Sequence, residues 1–195
     1  ETQPVTIVLL NNASASELKL SDANAQITLD LGGFTVTDNA TDESARGLFQ
    51  VTNGASLKVA GPGKIESTVT NAKSNHCFRI ESGASVDIDA NVTVSTYGVC
   101  VFIRNLNSTL TTAGDLTSQT NFAISGNGTQ GLGGTTVTIS GGSVTTEKDE
   151  GFAIYQPQSG TLNISGGAIS GDNCIGIKSG TLNITGGTLN ATGAY

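Results

Sequence analysis

The sequence predicts an all-β chain wound as a solenoid, with three short strands in each of about seven coils. Three observations carry this reading: a composition poor in helix formers, a phrase that recurs along the chain, and a period-two alternation of apolar residues inside each copy. Of the 195 residues 26 are Gly, only nine are Lys or Arg, and there is neither Met nor Trp, so a helical bundle or coiled coil lacks its usual material. At 36% apolar the chain is too hydrophobic for a disordered tail. Its length suits a single domain, residues 1–195, with a sizeable core.

The copies run in order. Residues 27–37 read ITLDLGGFTVT, 55–67 ASLKVAGPGKIES, 84–94 ASVDIDANVTV, 109–117 TLTTAGDLT and 135–145 TTVTISGGSVT. The last two, 159–170 (SGTLNISGGAIS) and 179–190 (SGTLNITGGTLN), are almost one phrase. In each, a first segment alternates, as in Ile27 and Leu29, Leu57 and Val59, or Leu162 and Ile164, which is the mark of a half-buried strand. A Gly-rich corner follows, and then a second short segment. A third apolar segment lies between copies: LFQV from Leu48, CFRI from Cys77, CVFI from Cys100, FAIS from Phe122, FAIY from Phe152 and CIGI from Cys174. Residues 5–20 depart from the phrase, so residues 1–20 are expected to form an N-terminal cap. The C-terminal end stops on an ordinary repeat with nothing to close it, and Glu stands at position 1. Both suggest a piece of a longer chain or assembly, with self-association or an adjoining domain at the C-terminal end.

These phrases, with TLNISGG and TLNITGG foremost, resemble the right-handed single-stranded parallel β-helix proteins of the pectate-lyase-like superfamily. In particular they resemble the Thr/Gly/Asn-rich β-helical segments of bacterial surface proteins and of bacteriophage fibres and tailspikes. The likeness runs from about Val5 to the end of the chain and is specific for fold rather than for chemistry. Pectate lyases of this fold use an Arg base beside Asp-ligated Ca²⁺, and polygalacturonases use clustered Asp with a nearby His. Here neither an Asp-Asp pair nor a Gly-His-Gly phrase occurs, and His76 is the single histidine. Arg79, expected to face outward between Phe78 and Ile80, with Asp87 and Asp89 in the same coil, is what a lyase-like groove would use.

Loop length indicates where a site would sit. The connections from second to third strand, residues 38–46, 68–75 and 145–150, are long and polar, and stacking would pile them on one edge. That edge would carry Asp38, Asp42, Glu43, Arg46, Lys73, His76 and Tyr97, and later Glu147, Lys148, Asp149, Glu150 and Asp172. Its acids have three readings. Asp149 or Glu150 with Asp172 could form a glycosidase pair; the same oxygens could coordinate Ca²⁺; or they are solvated charges that keep a rod soluble. The candidate ligand contacts are Tyr97, Asp149, Glu150, Tyr155, Gln156 and Asp172. No catalytic residue, no metal ligand and no resident cofactor are assigned, Ca²⁺ being the one cation considered. Most Phe are expected in inward ladders, leaving Tyr97, Tyr155 and Tyr195 to face solvent. Cys77, Cys100 and Cys174 each open a third segment and read as small buried hydrophobes, with a bridge between Cys77 and Cys100 as the alternative.

A formal charge of −7 supplies no basic patch for nucleic acid, and apolar runs such as residues 7–10 are too short for membrane insertion. The expected role is a non-enzymatic extracellular, cell-surface or virion module, secreted as a rigid spacer and adhesion surface for a host or cell-surface glycan or protein. The alternatives are a polysaccharide lyase or glycoside hydrolase acting on a cell-surface or plant polysaccharide, and a purely structural phage capsid-decoration or fibre segment.

Overall fold

A computed structural model describes residues 3–41, 47–70 and 76–193. Asp42, Glu43, Arg46, Lys73 and Tyr195 of the expected site edge and exposed aromatics lie outside these residues. Every regular element described is a β-strand, and the strands form three parallel sheets stacked as a solenoid. Sheet A holds the first strand of each coil, from Val5–Val8 to Thr181–Ile184; sheet B the second, from Ala13–Ala15 to Thr188–Ala191; sheet C the third, from Leu18–Leu20 to Asn173–Ile177. Sheets A and B have eight strands each and sheet C has seven, so the chain completes about seven turns with three strands per coil, as the repeat implied.

Registration explains why the alternation is so regular. In sheet A, Ile27, Leu57, Val86, Leu110, Val137, Leu162 and Leu182 stand directly above one another across the coils. A slip of one residue would turn each of them to solvent, so burial of one face fixes the register. The outward partners in the later coils are small and polar: Thr111, Thr138, Asn163 and Asn183 continue the row begun by Thr28, Lys58 and Asp87, and Asn183 Nδ2 donates to Asn163 Oδ1 at 2.9 Å. The corner from A to B is short in every coil, for instance Ala60 to Gly63 or Ile139 to Ser143. Gly142 shows what that tightness demands. Its φ is +64°, and a Cβ there would stand 2.2 Å from the Gly114 carbonyl oxygen of the coil below.

The corner from B to C is built differently. At the last inward position of sheet B stands a column of buried polar side chains, Asp38, Ser67, Thr96, Ser118 and Thr146. All but Ser67, which donates to Asp38, bond directly to backbone that has left the ladder. Asp38 accepts from Ser67 Oγ (2.9 Å) and from the Ala40 amide (3.0 Å); Thr96 Oγ1 accepts from the Gly98 amide (3.0 Å); Ser118 Oγ donates to the Gly98 carbonyl (2.6 Å) and accepts from the Asn121 amide (3.0 Å). Buried backbone groups at a bend must find partners, and short hydroxyl and carboxylate side chains supply them locally. Asp38, expected among the edge charges, is therefore an internal strut.

Immediately after this column two consecutive residues face inward, Cys77 with Phe78 and Cys100 with Val101. Ala123, Ala153 and Cys174 take the same rung as the two cysteines. The three thiols are free and buried, filling a corner that admits only small side chains. An ordinary thiol ionises near 9; burial pushes Cys77 up to about 12 and Cys100 well above its usual value. Between those values the folded chain keeps a proton that the unfolded chain releases. Stability is thus expected to be insensitive to these thiols below about pH 9 and to fall as pH rises from there toward 12. Denaturant midpoints measured across that window check this, and Cys77→Ala should flatten the decline.

Residues 5–20, expected as a cap, supply one strand to each sheet, with Val5–Val8 pairing in parallel with Gln26–Asp30. Their interior is open. A cavity of about 490 Å³ is lined by Ile7, Leu9, Ala15, Leu18, Leu20 and their neighbours, and Leu10 is 78% exposed. At the other end Leu182, Ile184 and Leu189 are also exposed.

Candidate functional site

Stacking places the B-to-C connections on one edge, and a polar recess lies in the first half of that edge. It is a cleft of about 470 Å³ between the segment 67–70 and the next coil, lined by Lys64, Glu66, Ser95, Tyr97 and Gln119 among others. Lys64 and Glu66 alternate outward on strand Gly63–Ser67, either side of buried Ile65. Lys64 Nζ lies 2.7 Å from Glu66 Oε2, and Thr37 Oγ1 donates to Glu66 Oε1 at 3.2 Å. The hydrogen bond from Lys64 is the main reason the Glu66 carboxyl is held below its usual range. Tyr97 is fixed through its backbone: its amide donates to the Ser67 carbonyl (3.1 Å), and its carbonyl accepts from Thr120 Oγ1 (2.5 Å) and the Thr120 amide (3.2 Å). A neighbouring recess of about 440 Å³, lined by Asp38 to Thr41 and Thr68 to Thr70, lies on the other side of the same segment.

The six residues expected at the site fall in three places. Tyr97 lines the cleft. Asp149 and Glu150 are exposed in the turn before strand Phe152–Gln156, and Asp172 lies beside them one coil on. There Asp172 accepts from the Glu150 amide (2.6 Å) and from Thr192 Oγ1 (3.1 Å), while Asn173 Nδ2 donates to the Glu150 carbonyl (3.2 Å). Both Asp172 oxygens are thus engaged in tying successive turns together. Gln156 is 3% exposed and lies inside the coil, away from the edge. Tyr155 is on the outer face of sheet C, its ring 4.9 Å from Phe122 and 6.3 Å from Phe152.

That outer face holds the aromatics that the sequence reading placed in the core. Phe49 and Phe78 are inward and stacked at 5.2 Å, but Phe102, Phe122 and Phe152 are half-buried on the outside. For Phe102 the signal was present: Val101 and Ile103 are inward, so the residue between them must face out. His76 is buried against Phe102 (4.7 Å) rather than free on the loop edge. Arg79 lies 5.5 Å above the same ring and pairs with Glu81, which also holds Arg104 Nη2 at 2.6 Å. Asp87 and Asp89 share Lys58 on the sheet A side, at 3.7 and 2.9 Å. The elements of a lyase-like groove are therefore on different faces. Lys148 Nζ stands 5.7 Å over Phe122, and the stacking of Phe122 on Tyr155 hides one face of each ring. Among the described residues no three His, Cys, Asp or Glu side chains are placed to hold a metal ion.

Compared with family models, with curated proteins and with solved structures, the chain finds no match.

The described lining of the cleft does not hold a pair of carboxyl groups. Glycoside cleavage requires two carboxyl groups facing one bond. Among the described residues Glu66 is the one carboxylate lining this cleft; Asp38, across from Ser67 on the next strand, points inward and is engaged by Ser67 and Ala40. Neither Lys64 and Glu66 nor Gln119 was singled out by the sequence, where charges on an alternating strand look like ordinary solvation.

Proposed function

We propose that this chain is a non-enzymatic β-helical module of an extracellular or virion surface, a rigid spacer that presents its B-to-C edge to a host or cell-surface glycan or protein. The observation that carries this reading is a ligand-sized polar cleft with a single carboxylate among its described residues, mounted on strands paired in register on both sides. Pockets of a few hundred cubic ångströms with a few convergent polar groups are typical of small-ligand recognition. Many parallel ladders in register favour a scaffold that opens only with its neighbours, which suits a spacer. The resemblance to surface-protein and phage-fibre β-helices supports the same setting. The exposed Leu182, Ile184 and Leu189 favour a further contact at the C-terminal end, with a second copy or an adjoining domain.

A glycan array probed with the labelled chain tests this, alongside assays for released reducing ends and unsaturated uronates with and without Ca²⁺. Saturable binding to at least one glycan with no product is the expected result. Product release would assign the chain to the hydrolases or lyases, and an array without any binding would leave the purely structural fibre segment.

A further inference from the structure

We infer that the cleft between Lys64, Glu66 and Tyr97 binds a neutral pyranose unit, with the Tyr97 ring against a C–H face of the sugar and Glu66 and Gln119 on its hydroxyls. This rests on the adhesion reading above and narrows it to one subsite and one ligand class. The volume, about 470 Å³, is at the small end of the range for ligand pockets, suited to one or two sugar rings.

The charge balance selects the class. Among the described residues Lys64 is the cation that lines the cleft, and it is paired with Glu66 at 2.7 Å, so the pair is neutral as a whole. Among the described residues of the lining no second cation stands beside that carboxylate, so an anionic sugar would meet a like-charge contact of the kind that excludes a wrong ligand. A neutral sugar faces no such cost. An ionised carboxylate accepts at both oxygens and can take more hydrogen bonds than the two that Lys64 and Thr37 provide. It therefore retains acceptor capacity for ligand hydroxyls. Gln119 offers both a donor and an acceptor, and the Ser95 hydroxyl lies between them on strand Val92–Thr96.

Geometry favours a stable arrangement. Glu66 and Ser95 are register partners on adjacent strands. The Tyr97 backbone is held from the coil below by Ser67 and from the coil above by Thr120. Groups ordered before the ligand arrives lose little entropy on binding. Tyr97 is half-buried, leaving part of the residue open, and an aromatic side chain with an apolar body and a polar tip suits a sugar's two characters.

The experiment uses the full chain, ¹⁵N-labelled, titrated with the methyl glycosides of glucose, galactose and mannose and, in a separate arm, with methyl glucuronide. Saturable shifts confined to the amides of Lys64, Ser95, Tyr97 and Gln119 are expected with at least one neutral glycoside and not with the glucuronide. Tyr97→Ala and Glu66→Gln should each weaken that binding roughly tenfold or more. Thr138→Ala, on the outer face of sheet A, should leave it unchanged, and circular dichroism of each variant checks that the fold is kept. Tighter binding of the glucuronide, or shifts elsewhere that survive both cleft variants, would overturn the subsite. If the array shows glycan binding that Tyr97→Ala and Glu66→Gln do not alter, this inference fails while the adhesion reading stands. If neither array nor glycosides bind, both fail.

Discussion

Phe78→Ala is expected to destabilise the chain by about 3–5 kcal/mol, the usual cost of emptying a fully buried aromatic site. Phe78 has no exposed surface, its ring stacks on Phe49 at 5.2 Å and 14°, and its register partners are Phe49 and Val101 in the flanking coils. The void would thus open at the contact between coils. Each coil of a solenoid touches only its neighbours, so a loss at one interface is not shared across the molecule. Denaturant unfolding should show a lower midpoint, and hydrogen exchange should quicken first in the N-terminal coils, whose stack is then thinnest. Phe102→Ala is the control. Phe102 sits in the next strand but faces outward, touching His76 and Arg79, and its removal should cost on the order of 1 kcal/mol. The same residue type one position out of phase then reports the inward and outward alternation as a free-energy difference.

Gln158→Leu is expected to cost about 2 kcal/mol and to loosen one particular loop. Gln158 is 4% exposed, and its Nε2 donates to the Ile103 carbonyl (3.4 Å) and to Thr135 Oγ1 (3.2 Å). The reason lies in the coil between them. After Gly126 the chain leaves the stack as a projecting loop and rejoins it at Thr135. The Gln158 amide enters the space so vacated: a Cβ on Gly126 would stand 2.0 Å from Gln158 Oε1. A side chain thus takes the place of a missing rung. Leucine has a similar size but leaves two acceptors without this donor, at about 1–3 kcal/mol each; removing the unpaired Gln158 Oε1 offsets part of this. Exchange should accelerate at the amides of Gly134 and Asn105, which donate to Ser159 and Leu132 at the base of the loop. Gln156→Leu gives the contrast. Gln156 is equally buried but its Nε2 has no partner, so exchanging it for an apolar side chain should cost less than the change at 158.

The pair of glutamines also shows what the sequence could and could not reveal. Along the sheet A strands, alternation is set by burial of one face, and the copies at 161–164 and 181–184 pair residue for residue in the structure. Their positions could be read directly. At the corner between sheets B and C that rule lapses. The chain bends, two successive residues face inward, and polar side chains such as Asp38 and Thr96 are buried for the sake of the backbone; Gln156 and Gln158, at the corner from C to A, are buried within the coil. A polar residue there looks like a surface residue in sequence. The cleft was hidden for another reason. Lys64, Tyr97 and Gln119 are far apart in the chain and meet only because connections of unequal length are absorbed outside the stack, leaving the register intact. Tyr97 could be noticed as an aromatic in a short loop, but its neighbours could not be named until the coils were aligned.

The unequal corners separate two quantities that rise together in most proteins. The A-to-B corner is always short, while the connection from B to C is a single residue between Gly171 and Asn173 and runs from Asp38 to Phe49 in an earlier coil. Both coils nonetheless advance the rod by the same strand spacing, about 4.8 Å. Reach is therefore counted in coils and girth in loop residues. Lengthening a B-to-C connection would thicken the molecule at one level without moving its ends. Deleting one whole repeat would shorten the reach by a fixed step and bring the edge loops on either side into new adjacency, changing what the edge can hold without altering a single residue in it.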